Sequence, residues 1–195
     1  MHHVYHTEAF ILASKNVGEA NRSFTLFTRE LGVVQATAQG IRLSKSKLRF
    51  ALQDFSFVQV DLVRGKEIWR ITSALQGIAL SEFAENVQAL KMVAKISSLV
   101  SRLMKGEGEH VALYEYIKQS FLSLAVADFS KEMIESMEIV TVLEILFHLG
   151  YMDKDAYTDQ FIGNPFSGEL LQKTQERRKE LVLLINNSLR ETQLL

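Results

Sequence analysis

The chain has 195 residues, 47 % of them apolar and 23 % charged, with ten glycines and one proline; this excludes a long multidomain protein, a disordered chain and a low-complexity array. The absence of cysteine removes disulfides, thiolate zinc sites, iron–sulfur clusters and cysteine nucleophiles together. The formal net charge of −1 conceals two unlike parts: residues 1–75 hold ten Lys or Arg against six Asp or Glu, and the other 120 residues hold 12 against 17. An anion within a Debye length of about 8 Å of the first part responds to that part alone.

From the N-terminus the hydrophobic pattern has period two. Alternation over Tyr5–Ala13, Arg22–Arg29, Val33–Gly40, Phe55–Val63 and Glu67–Ala74 predicts five strands. In the third, Val34, Ala36, Ala38 and Gly40 share one face, a half-buried strand with a small-residue interior. Three short turns and one long connection, residues 41–51, fit the five-stranded Greek-key barrel known as the OB-fold, while pattern alone leaves an open meander as the alternative. Phe55 and Phe57 are expected on one face of the fourth strand, packing against the helical part, with Ser56, Val58, Val60 and Leu62 on the other.

After Ala74 the period becomes helical. Ser81 is expected to cap a helix running to Gly106, with Val87, Leu90, Val93, Ile96, Val100 and Leu103 at threes and fours. Further helices are expected over Glu109–Ala127 and Ser130–Leu149, the latter stopped by Gly150, then a loop over 152–168 and a last helix over Glu169–Leu189. The all-round apolar stretch Leu181–Ile185 suggests burial between helices. The fold class is therefore α+β: a five-stranded OB-fold β-barrel over residues 1–78 followed by an all-α helical bundle over 79–195. No segment approaches about 18 uninterrupted apolar residues and no leader pattern opens the chain, so a cytoplasmic protein without a membrane partner is expected.

The candidate chemistry is cationic. Arg42, Lys45, Lys47 and Arg49 crowd the long connection with no acid between them, and cannot neutralise one another. Lys15 and Arg22 flank the first turn, Arg64 and Lys66 sit in the last, and Arg70 follows Trp69. A merely solvated loop is the bland alternative, and for Trp69 core packing is favoured over base stacking. No cofactor, metal or catalytic group is expected. His2, His3 and His6 lack a carboxylate at fixed spacing, and Asp153, Asp155 and Asp159 lack the glycine and twelfth-position glutamate of a calcium loop. His148 suits the end of its helix, Gly65-Lys66 lacks the rest of a phosphate-binding loop, and no hydrolase signature is present. The reading is a binding protein and not an enzyme; a nuclease using Asp153–Asp159 is a distant alternative.

Five segments, in order, carry a resemblance: Phe27-Thr28-Arg29-Glu30-Leu31-Gly32, Ala38-Gln39-Gly40-Ile41-Arg42, Ser44-Lys45-Ser46-Lys47-Leu48-Arg49, Leu52-Gln53-Asp54-Phe55-Ser56 and Val63-Arg64-Gly65. Together they resemble the N-terminal barrel of the bacterial recombination protein RecO, over residues 4–80; the helical remainder resembles it in pattern only. Many members carry a four-cysteine zinc ribbon after a Leu-Gly-Tyr element like Leu149-Gly150-Tyr151, and here that loop is short and cysteine-free. The resemblance implies a DNA-repair mediator that binds single- and double-stranded DNA and anneals strands. It also implies association with RecR and action on DNA coated by single-strand-binding protein, whose acidic C-terminal tail the helical domain takes up in some members, so that RecA can load. The alternative from another class is an adaptor whose basic loop binds an acidic partner tail.

Overall fold

The computed structural model describes residues 3–66, 68–78, 86–104 and 106–191. Ser81, expected to cap the first long helix, together with Glu67 and His2, lies outside the described residues. Strands β1 (Val4–Val17), β2 (Asn21–Thr28), β3 (Gly32–Ala38), β4 (Phe57–Arg64) and β5 (Trp69–Gln76) close into a barrel in the order β1-β2-β3-β5-β4. Every pairing is antiparallel except β3 with β5. This is an OB-fold barrel and not the open meander. Closure depends on β1, which pairs with β4 through Val4–Phe10 and with β2 through Ala9–Val17. A register shift between Ile11 and Ala13 marks the bulge where it bends from one neighbour to the other.

Side-chain volume explains the interior. Ala36 stands level with Phe24 on one side and with Trp69 on the other, and all three are buried. The small residues of β3 therefore leave the space that two large rings fill, as dense core packing requires. Val58, Val60 and Leu62 of β4 and Ile71 of β5 complete the same cluster. Phe57 packs outside it, against Phe10 and Tyr114, in accord with the expectation for that residue. Phe55 does not share its strand face: at φ 58° it is left-handed, and its N–H donates to the Ile11 carbonyl, so β4 begins two residues late.

A single helical turn, α1 (Leu48–Ala51), interrupts the long connection. Helices α2 (Val87–Leu103), α3 (Val111–Val126), α4 (Lys131–His148), α5 (Gly168–Glu176) and α6 (Arg178–Glu191) follow. The described chain forms two compact units. One contains the barrel together with residues 104–114, and the other contains residues 86–103 and those from 115 onward. In the barrel unit the segment after α2 is tied down: Glu107 pairs with Gly32, and the Gly108 N–H donates to the Leu31 carbonyl. Gly32 has φ 71°, and a Cβ there would lie 2.4 Å from the Gly108 oxygen.

In the second unit α4 is central, packed by α2, α5 and α6. Ser130 caps it by accepting from the Met133 N–H, and Gly150, at φ 74°, ends it as expected. The last helix is two: the chain breaks at Arg177 (φ −100°, ψ 12°) with neither glycine nor proline to announce it. Leu181–Ile185 is not buried all round. Leu181 and Ile185 point inward while Val182 and Leu183 are exposed. Among the described residues no helix is long and apolar enough to cross a membrane.

Candidate nucleic-acid interface

Cross-strand register decides which cations share a surface, because directly paired residues project from the same face. Lys15 of β1 pairs with Ser23, Ser23 with Thr37, and Thr37 with Arg70 of β5. These four residues form one outward row across β1-β2-β3-β5. At about 4.8 Å per strand step its ends are about 14 Å apart. The neighbouring outward positions of β2 and β3, Thr25 and Gln35, are polar and uncharged, and Gln35 donates to Thr25 at 2.9 Å. Another cleft, about 480 Å³ in volume, is lined by Glu8 of β1 and Asp61 of β4 and by Arg29 and Glu30 of the β2–β3 turn, so acids outnumber cations there.

Arg64, Lys66 and Arg70 line a second cleft of about 560 Å³ together with Thr37 of β3, Gln39 just beyond it, and the apolar Val63, Ile68 and Trp69. Gln39 leads directly into the basic connection. The start of that connection is fixed on the β1–β2 turn: the Arg42 N–H donates to the Ala20 carbonyl at 3.0 Å, and its Nη1 to the Gly18 carbonyl at 3.1 Å. Lys45, Lys47 and Arg49 are exposed along the rest of it. Leu48 and Leu52 pack on the barrel core, and α1 lies beside β5. Register joins Lys15 to Arg70, the second cleft joins Arg70 to Arg64 and Lys66, and Arg42 is tied to the β1–β2 turn; with the exposed Lys45, Lys47 and Arg49, these eight of the nine cations singled out in the sequence are together called the basic strip.

The ninth, Arg22, departs from it. It pairs with inward-facing Ala38, its guanidinium lies 5.8 Å from the Phe24 ring centroid, and its Nη2 is 3.6 Å from Asp54, which also accepts from Ser14. Arg64 stays on the strip but has a partner: its Nη1 is 3.2 Å from Glu107, and its guanidinium lies 5.3 Å from the centroid of the Trp69 ring. Glu107 also accepts from Trp69 Nε1 at 3.0 Å. Trp69 is 4 % exposed and edge-on to Tyr5, a core ring and not a stacking platform.

One residue of the strip went unread in the sequence: Phe50 of α1 is 65 % exposed, with Arg49 over its ring at 5.0 Å. Its signal is an aromatic side chain set directly beside a run of cations. Among the described residues there is no group of three or more His, Asp or Glu able to hold a metal ion. Instead Asp155 accepts from the Tyr157 and Thr158 N–H groups; these bonds, those from Thr158 first, hold its carboxyl below the usual carboxylate range. Asp159 pairs with Lys154 at 2.8 Å.

Residues 1–77 match the family model described as "Recombination protein O N terminal". Proteins named DNA repair protein RecO are similar to this chain. The one from Caldanaerobacter subterraneus subsp. tengcongensis is 27 % identical over 153 residues, 75 % of this chain and 58 % of that protein. The Heliobacterium modesticaldum protein is 33 % identical over 100 residues, 51 % of this chain and 37 % of its own length. The Desulfitobacterium hafniense protein is 42 % identical over 65 residues, 33 % of this chain and 24 % of its own. The chain thus spans between about a quarter and three-fifths of the length of these curated relatives. Over residues 1–77, its N-terminal OB-fold barrel, the chain is similar to the N-terminal part of RecO proteins.

Proposed function

We propose that this protein is a DNA repair and recombination mediator whose barrel, residues 1–78, binds single- and double-stranded DNA through the basic strip and brings complementary strands together. What supports the reading is the grouping of the cations: Lys15 and Arg70 in one cross-strand row, Arg64 and Lys66 around the adjoining cleft, and Arg42, Lys45, Lys47 and Arg49 exposed on the long connection. Annealing needs cations along two mutually repelling backbones and base edges left free to pair. A strip of lysine and arginine beside serine, threonine and glutamine supplies the first without reading the second. The protein acts by binding and not by catalysis, and intact labelled DNA after incubation with magnesium or manganese is the result that fits.

The finer partners are part of the same proposal: RecR, the acidic C-terminal tail of single-strand-binding protein, and loading of RecA in the cytoplasm. For the tail, the second unit offers a groove of about 470 Å³ with Arg102, and with Lys95 that Glu138 already holds at 2.8 Å, beside Ile96, Leu99 and Ile185. Its chemistry suits a short acidic peptide with an apolar residue.

The test is salt dependence. For single-stranded DNA each neutralised phosphate contributes a slope of about −0.7 in log affinity against log salt, so the four cations of the connection contribute about −3, roughly fiftyfold between 50 and 200 mM. Changing Arg42, Lys45, Lys47 and Arg49 together to alanine is expected to remove that much of the slope. Unchanged affinity and slope would refute the assignment of the connection. An adaptor would bind acidic peptide and leave a fluorescent oligonucleotide unbound.

A further inference from the structure

Phe50 has no evident role in holding the fold. The single turn that carries it is anchored from its other side, with Leu48 packed on the barrel cluster and Ala51 and Leu52 buried, while Phe50 is 65 % exposed. An aromatic ring open to water gains none of the burial free energy that justifies its size. Two observations bear on what it is for. It directly follows the most cationic stretch of the chain, next to Arg49, and Arg49 already sits 5.0 Å from its ring centroid. A guanidinium against a ring is one half of a stacking arrangement, and a second flat, electron-rich partner completes it.

We infer that Phe50 is a stacking residue for an unpaired base of single-stranded nucleic acid, with Arg49 steadying the ring and contacting the flanking phosphate. This rests on the proposed nucleic-acid reading and deepens it: cations alone do not distinguish one strand from two, whereas a ring does. Bases within a duplex are stacked on each other and present no face to Phe50. An unpaired base does, and every base has such a face, so the contact is blind to sequence. The β2–β3 face offers no aromatic alternative, its outward Ser23, Thr25, Gln35 and Thr37 being polar. Phe50 therefore gives the strip its preference for the open strand.

The experiment compares Phe50→Ala and Phe50→Trp with the parent on three labelled probes: a single-stranded oligonucleotide, the same sequence as duplex, and an abasic strand of equal length. Phe50→Ala is expected to weaken binding to the single strand about tenfold, within the range of one base–aromatic contact. Binding to the duplex and to the abasic strand, and the salt slope, should be unchanged. Phe50→Trp should retain affinity and report the stack directly by fluorescence quenching, since the one native tryptophan, Trp69, is buried. If Phe50→Ala binds the single strand as the parent does, with the parent's slope intact, the inference is overturned and the basic-strip reading stands. Equal weakening on all three probes would also overturn it, by showing that the change acts through the backbone contacts. A parent that binds none of the probes would refute the underlying reading itself.

Discussion

On the proposed reading, Glu107 holds the place beside Arg64 that a phosphate would take. Its carboxylate lies 3.2 Å from the Arg64 guanidinium and accepts from the Trp69 indole, at the rim of the cleft that Lys66 and Arg70 also line. The segment carrying it is pinned by the pairing of Glu107 with Gly32, so its backbone stays beside the barrel. Glu107→Gln keeps an oxygen for the Trp69 N–H and removes the charge. Both partners of the ion pair are substantially exposed, 62 % for the Arg64 side chain and 42 % for Glu107, and an exposed pair contributes about 0–1 kcal/mol; the variant therefore loses at most about 1 kcal/mol of stability. On the binding side Arg64 gains freedom to contact a phosphate. The slope of log affinity against log salt should steepen by about 0.7. At low salt, binding should tighten about two- to fivefold, which corresponds to about 0.4–1 kcal/mol at 1.4 kcal/mol per factor of ten. Anisotropy of a labelled single strand, titrated from 50 to 200 mM salt, reads both quantities, and the advantage of the variant should shrink across that range. Equal affinity and equal slope for the two proteins would refute the view that Glu107 occupies a phosphate position.

Two further predictions concern stability, one in each of the two units. Gly32→Ala combines a left-handed backbone, about 1–2 kcal/mol for a side chain, with a Cβ 2.4 Å from the Gly108 carbonyl oxygen; denaturant unfolding should show a loss of at least 2 kcal/mol, and a loss under 1 kcal/mol would mean that the 104–114 segment does not pass there. Glu144 is 1 % exposed on α4 and accepts from the Gly163 N–H; burial raises its carboxyl above the usual range, against the lowering effects of that bond and of Lys154. The proton is therefore held more tightly folded than unfolded, so stability is fullest below the unfolded value and falls as pH rises through the folded one. Glu144→Gln cannot ionise, so it should gain on the parent as pH climbs from about 4 through the folded pKa; a difference independent of pH in denaturant titrations would sink this account.

Most of the barrel was legible because alternation is a one-dimensional signal. Val34, Ala36 and Ala38 announce an inward face, and Val58, Val60 and Leu62 another. What alternation cannot carry is pairing. That Thr37 stands level with Arg70, and so places Arg70 in the row of Lys15, depends on the parallel contact between β3 and β5, strands separated by about thirty residues of chain. The same blindness hid the fate of Arg22. Its neighbours in sequence suggest a turn cation, but its partner across the sheet is Ala38, which turns it inward toward Asp54. Glu107 was invisible as a neighbour of Arg64 because nothing local predicts that a segment beyond the first long helix returns to the barrel. The break at Arg177 left no mark either, since a C-cap of ordinary residues spends no glycine or proline.

Counting cations in a sequence overstates the charge a polyanion meets. Nine were singled out, and if each took one phosphate of a single strand the salt slope would be about −6. Among the described residues, two of the nine already face carboxylates, Arg22 at Asp54 and Arg64 at Glu107, which leaves seven and a slope no steeper than about −5. The four on the connection account for about −3 of that, and Lys15, Lys66 and Arg70 for the rest. A measured slope near −6 in the parent would mean that both pairs open when DNA binds, with Asp54 and Glu107 acting as displaceable counterions and not as fixed neighbours. In that case Glu107→Gln would leave the slope unchanged and raise only the affinity. The two measurements together therefore separate a static basic strip from one that unlocks on contact, a distinction that neither could make by itself.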